Sequence, residues 1–115
     1  MLTLLKCKIH RATVTDSDLN YEGSVGIDSA LMKAAGLLPF ERIDVLNINN
    51  GQRFITYVIE EEANSGKIVI NGAAARLVQK GDLVIICAYV ELDQKTAQTW
   101  QPTIVQVNEK NRVKK

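Results

Sequence analysis

Apolar and polar residues alternate along much of this chain with the two-residue period of strands that bury one face. Leu2, Leu4, Cys7, Ile9 and Val14 are interleaved with polar residues, and the alternation slips once near Leu5-Lys6. A long strand over 2–14 is predicted. Asp16-Ser17-Asp18 has turn chemistry, because short carboxylates and hydroxyls bond nearby backbone amides. A second extended piece is expected over 21–27. Asp28 is suited to cap a short helix over 29–35, with Gly36 as its stop and Pro39 preventing continuation.

Two strands, 43–48 and 53–59, flank Asn49-Asn50-Gly51, and Asn-Gly is a strong hairpin signal. Ala63-Asn64-Ser65-Gly66 predicts a turn, and 68–70 a short strand. Asn71 could cap one or two turns of helix over 72–77. Gly81-Asp82 marks another turn. The most apolar strand is expected over 83–92 and a last one over 104–107, with 93–102 irregular or briefly helical between them. The polar tail over 108–115 reads as frayed. Many short strands, frequent turns and two short helices indicate a mainly β domain, most simply a compact barrel.

The chain has 115 residues, which suggests a single domain over 1–115, and its 46% hydrophobic content can form a core. A net charge of +1 gives no electrostatic case for nucleic acid or an anionic membrane as partner. The apolar start, residues 1–7, has no basic leader and no long apolar stretch, so a cytoplasmic location is expected. Cys7 and Cys87 sit in strand-like apolar surroundings and read as buried thiols; without CxxC or Cys/His spacing, no metal site is expected.

Gly23-Ser24, by itself, reads as a bend. Its context changes that. Lys8-Ile9-His10-Arg11, Asp18-Leu19-Asn20-Tyr21-Glu22-Gly23-Ser24, Ala34-Ala35-Gly36, Asn50-Gly51-Gln52-Arg53-Phe54, Thr56-Tyr57, Val69-Ile70-Asn71-Gly72-Ala73-Ala74-Ala75 and Gly81-Asp82-Leu83-Val84-Ile85-Ile86 occur in this order and spacing. In these pieces, and over the chain up to about Pro102, the sequence resembles the bacterial aspartate 1-decarboxylase family. Val25 stands where relatives often carry Cys, and Leu46 where some carry Trp.

The resemblance implies a double-psi β-barrel that assembles as a homotetramer. It implies self-cleavage between Gly23 and Ser24, into residues 1–23 and 24–115, leaving a covalent pyruvoyl group derived from Ser24. A maturation helper protein serves some relatives. Glycine before the nucleophile suits attack, having no Cβ in the way. Thr56 matches the family's donor to the attacked carbonyl, and Asn71 is a second candidate. The pyruvoyl ketone would hold the amine of L-aspartate as a Schiff base and act as electron sink for the loss of CO2. Tyr57 matches the acid that returns a proton to give β-alanine, a precursor of pantothenate and coenzyme A; phenols are ordinarily protonated at neutral pH.

Arg53 matches the main carboxylate binder, and Lys8 is a second contact. Arg53 and Tyr57, four apart, share one face of a regular strand, and Lys8 shares a face with His10 while Ile9 points to the core. Thr56 then faces away from Tyr57, which requires a bulge or a subunit boundary. His10 fits either a substrate contact or a group that orients Tyr21. Gly72, Ala73 and Ala74 fit either backbone contact with substrate or tight packing. Two other functions stay open at this level: a barrel that does not mature and serves only as an interaction module, and a decarboxylase of another acidic amino acid such as glutamate.

Overall fold

The computed structural model describes residues 1–114. The chain runs β1 (Leu2–Thr13), β2 (Asp16–Asp18), β3 (Ser24–Asp28), α1 (Ser29–Ala35), β4 (Arg42–Asn47), β5 (Arg53–Glu61), β6 (Ile68–Asn71), a 3-10 helix (Gly72–Leu77), β7 (Leu83–Leu92), α2 (Gln94–Ala97) and β8 (Thr103–Gln106). The strands form a single hydrogen-bonded order, β2-β6-β3-β5-β4-β7-β1-β8. β1 lies antiparallel to β7 and parallel to β8, while β3 lies parallel to β5 and antiparallel to β6. Such parallel neighbours need crossover connections, so distant segments meet in the middle of the sheet.

Alternation explains the core. Ile9, Val25, Ile27, Val45, Val58, Ile68, Ile70, Val84 and Ile86 point inward and are all buried. β-branched side chains pack well on a pleated surface. Truncating one, Ile86→Ala for example, should cost about 2–5 kcal/mol. The slip in the first strand is real: β1 changes register against β7 between Leu5 and Cys7. A second shift, between Ile9 and Ala12, carries Arg11 at φ 66°.

Asp28 caps α1 through Ala30 N–H at 2.8 Å, and Gly36 ends the helix in the left-handed region at φ 81°. The same carboxylate accepts from the amides of Asn64 and Gly66, each at 2.9 Å, so it also fastens the β5–β6 turn. The 49–51 turn joins the antiparallel pair β4 and β5 as the Asn-Gly signal predicts.

Three expectations need correction. Residues 16–18 are not a turn but an edge strand parallel to β6; polar residues are tolerated there because an edge is solvated. The turn chemistry acts just afterwards, where Asp18 accepts from Asn20 N–H at 3.0 Å. Strand β3 consequently begins at Ser24 rather than at Tyr21. The tail is also tied down over its described part, 108–114, and Lys115 lies outside the described residues. Asn111 is buried and accepts from Thr13 N–H at 2.7 Å, while its amide donates to Thr13 O and Gly66 O, each at 2.8 Å.

Candidate active site

Ser24 opens β3 opposite Asn71, the last residue of β6. Their neighbours Val25 and Ile70 point to the core, so Ser24 and Asn71 share the other face. Both are buried there. The Ser24 hydroxyl donates to Glu22 O at 3.1 Å and accepts from the Asn71 amide at 3.2 Å. Among the described residues no carboxylate or imidazole reaches it. Asn71 therefore does not cap the helix that follows with its side chain, as the sequence suggested; its amide orients the hydroxyl instead.

Gly72 explains how the Gly23-Ser24 junction is held. Its φ is 75°, and a Cβ built there would meet Gly23 Cα at 2.6 Å and Gly23 N at 2.8 Å. Two glycine backbones thus lie in contact, a packing that only a missing side chain permits. Ala74 packs against the core, and Ala73 is exposed. For Gly72 and Ala74 the packing role is the one with direct contacts.

Of the remaining candidates, Arg53, Tyr57, Lys8 and His10 lie along one outer face of the sheet. β4 and β5 pair without a register shift: Arg42 opposes Tyr57, Ile43 opposes Thr56, and Leu46 opposes Arg53. Opposed residues project to the same side, so Arg53 and Tyr57 share a face with Arg42. Thr56 turns the other way, beside buried Ile43, and β5 has no bulge to bring it round. The row continues through Asp44, Cys87 and Lys8. Lys8 and His10 therefore lie on the face of Arg53 and Tyr57. Three strand spacings separate β5 from β1, about 14 Å along the sheet. Cys87 sits between the two cations; burial raises its thiol pKa, and Lys8 and Arg53 act against that rise. The pairing of β3 with β5 begins at Val25 beside Val58, and Ser24 and Tyr57 are the residues that precede these two in the chain.

His10 occupies a separate cleft of about 220 Å³, shared with Arg11, Gln106, Glu109 and Lys114. Its Nδ1 is buried without a hydrogen-bond partner. Burial, then the charges of Lys8, Arg11 and Lys114, lowers its pKa. It makes no hydrogen bond to Tyr21, which is exposed. A larger cleft of about 420 Å³ lies on the candidate face itself, lined by Thr3, Arg42, Asp44, Tyr89 and Glu91 and away from Ser24.

Sequence reasoning missed two neighbours of Tyr57. Arg42 is its cross-strand partner, and the Phe40 ring lies 6.4 Å from its ring, centroid to centroid. Neither is marked by a motif; only the strand register and the 36–41 loop bring them there.

Comparison with known proteins bears on the family and the fold. The family model described as aspartate decarboxylase matches residues 1–114. An aspartate 1-decarboxylase of Syntrophus aciditrophicus is 59% identical over 111 residues, covering 96% of each chain. One from Bdellovibrio bacteriovorus is 60% identical over 112 residues, covering 97% of this chain and 89% of its own. Among solved structures, the rationally designed mkDPBB_sym_86 protein superposes with a TM-score of 0.51 at 15% identity, over 71% of this chain and 95% of its own. That likeness shows the fold, a double-psi β-barrel. With a family model spanning its described length and relatives at this identity, the chain belongs to the aspartate decarboxylase family.

Proposed function

We propose that this chain is the precursor of a pyruvoyl-dependent enzyme that decarboxylates L-aspartate to β-alanine and CO2 and so feeds pantothenate and coenzyme A synthesis. The observation that carries it is the Gly23-Ser24 junction: a buried hydroxyl, oriented by Asn71, in a segment held by the glycine contact with Gly72. These residues fit the formation of a pyruvoyl group at position 24.

In maturation the Ser24 oxygen attacks the Gly23 carbonyl carbon. The amide C–N bond breaks, an ester forms and the Ser24 amine is freed. Loss of the Ser24 α-proton then expels the Gly23 carboxylate from Cβ, giving residues 1–23 and a chain that begins with dehydroalanine. Water adds, ammonia leaves, and pyruvoyl remains. Charge develops on the Gly23 carbonyl oxygen during attack, so a donor there accelerates the step. Asn71, whose amide already contacts the hydroxyl, is one candidate for that support. Thr56, facing the other side of β5, is the family's counterpart. With only Glu22 O to take its proton, the serine is a weak nucleophile, which accords with slow or assisted maturation and a helper protein.

The pyruvoyl group supplies the electron sink for loss of the α-carboxylate. Arg53 binds a substrate carboxylate with its planar fork, and Lys8 contacts the other. Tyr57 returns the proton to the substrate carbon. Within one chain His10 lies in its own cleft and Gly72 and Ala74 pack, so His10 and Ala73 would reach substrate only across a boundary between copies. The 14 Å of sheet between β1 and β5 is too far for Lys8 and Arg53 of one chain to clamp one aspartate comfortably. The same face exposes Ile55, Tyr89 and Ile104. Both features favour a site closed by a second copy, in a homotetramer. Two free thiols accord with a cytoplasmic location.

Intact mass under denaturing conditions tests the proposal. Two fragments are expected, the larger lighter by one ammonia than a chain simply hydrolysed before Ser24. Ser24→Ala should give one folded chain near 12.7 kDa. A parent protein that stays at that mass, even after incubation with cell extract, and forms no β-alanine would refute it.

A further inference from the structure

We propose that Phe40 is a positioning residue for the reaction, setting the orientation of the Tyr57 phenol, a role that rests on Tyr57 being the proton donor proposed above. Phe40 has φ 71°, a left-handed conformation that bulky side chains rarely adopt. Glycine or asparagine would meet this turn at lower cost. Burial within its own chain does not account for the ring, since Phe40 is 76% exposed there. Backbone strain of this kind persists where the surroundings over-determine it, and it clusters at functional sites.

The surroundings here are specific. Phe40 N–H donates to Val58 O at 2.7 Å, and Val58 N–H donates to Glu41 O at 3.1 Å. This pair locks residues 40 and 41 onto β5 at the position next to Tyr57. Glu41 is held in turn: its carboxylate takes Lys6 Nζ at 2.8 Å and Leu38 N–H at 3.0 Å, and Lys6 also donates to Gly36 O at 2.9 Å. The 36–41 loop is thereby clamped to β1 and β5 together. Its product is the placement of one ring against another, 6.4 Å between centroids and tilted by 36°, within the range of favourable aromatic pairs.

Tyr57 needs such a neighbour. Among the described residues no hydrogen bond holds its hydroxyl, so packing alone sets the ring's direction. Arg42 flanks it across the strand, and Phe40 flanks it from the loop. Proton return to carbon depends on the donor's reach and angle, so a ring free to turn should slow turnover while leaving substrate affinity nearly unchanged.

The test uses mature enzyme carrying Phe40→Asn, which suits the left-handed backbone but lacks the ring, beside Phe40→Tyr, which restores a ring. Phe40→Asn should cleave itself normally, melt no lower than the parent and keep its oligomeric mass. Its kcat should fall about 10-fold with KM within about 2-fold, and Phe40→Tyr should recover most of kcat. In a Tyr57→Phe background, Phe40→Asn should cause no further loss. If Tyr57→Phe is impaired while Phe40→Asn keeps the parent kcat, the positioning role falls and the donor role stands. Full activity of Tyr57→Phe overturns both. Loss of cleavage, assembly or melting temperature in Phe40→Asn overturns the positioning role in favour of a structural one.

Discussion

Gly72→Ala should slow self-cleavage sharply while leaving most of the fold intact. Two separate costs arise. Alanine in the left-handed region costs about 1–2 kcal/mol. The new methyl carbon would also stand 2.6 Å from Gly23 Cα, where ordinary contact begins at 3.4 Å, so one backbone must move by about 0.8 Å. Forced insertion of this kind costs about 1–3 kcal/mol. The total, about 2–5 kcal/mol, is a large part of a domain's stability but need not exceed it. The displacement falls on the residue whose carbonyl Ser24 must attack, and it strains hydroxyl contacts of 3.1 and 3.2 Å. Misplacement on the order of 1 Å can cost about 100-fold in rate. The assay is the disappearance of the precursor mass with time in freshly purified protein. Gly81→Ala is the control, because Gly81 has φ 96° but open space at its Cβ. It should lose stability and still cleave at the parent rate. Cleavage of Gly72→Ala at the parent rate, with the fold preserved, would refute the claim that this glycine contact holds the reacting segment.

Arg53→Ala should mature normally and raise KM for aspartate much more than it lowers kcat; an unchanged KM would remove Arg53 from carboxylate binding. Asn111→Ala leaves Thr13 N, Thr13 O and Gly66 O without partners and should cost about 2–4 kcal/mol, read as a lower urea midpoint at unchanged slope. An unchanged midpoint would mean that the tail is not a fastening. His10 should titrate below its ordinary 6.5, because burial and then Lys8, Arg11 and Lys114 oppose its protonation. The unfolded chain then binds a proton more readily, so stability should fall as pH drops through 6.5 and level off below the folded value. As the chain has one histidine, a single proton resonance reads this directly; a midpoint at or above 6.5 would contradict it.

Local chemistry was legible without coordinates. The cap at Asp28, the stop at Gly36 and the Asn-Gly hairpin act through neighbours within a few residues and stand where the residues indicate, and the slip near Leu5 shows as a break in the alternation of β1 itself. The family, too, was readable from the order of its short motifs. The errors fall where partners are distant in the chain. Residues 16–18 are polar enough for a turn and become a strand only because β6 offers an edge some fifty residues later. The tail is polar enough to fray and is fixed because a buried pocket between Thr13 and Gly66 takes Asn111. Asn71 could cap its own helix but meets Ser24 across the sheet instead. The same division holds for the site. Ser24, Tyr57 and Arg53 were singled out only through the resemblance to the family, since a Gly-Ser pair by itself reads as a bend and a strand tyrosine as packing. Tertiary structure alone decided that Gly72 supports Gly23, that Phe40 and Arg42 flank Tyr57, and that Lys8 stands three strands away from Arg53. The reason is physical: capping and turn preferences depend on short-range sterics and hydrogen bonds, whereas parallel pairing across a crossover brings together residues whose spacing in the chain carries no periodic signal.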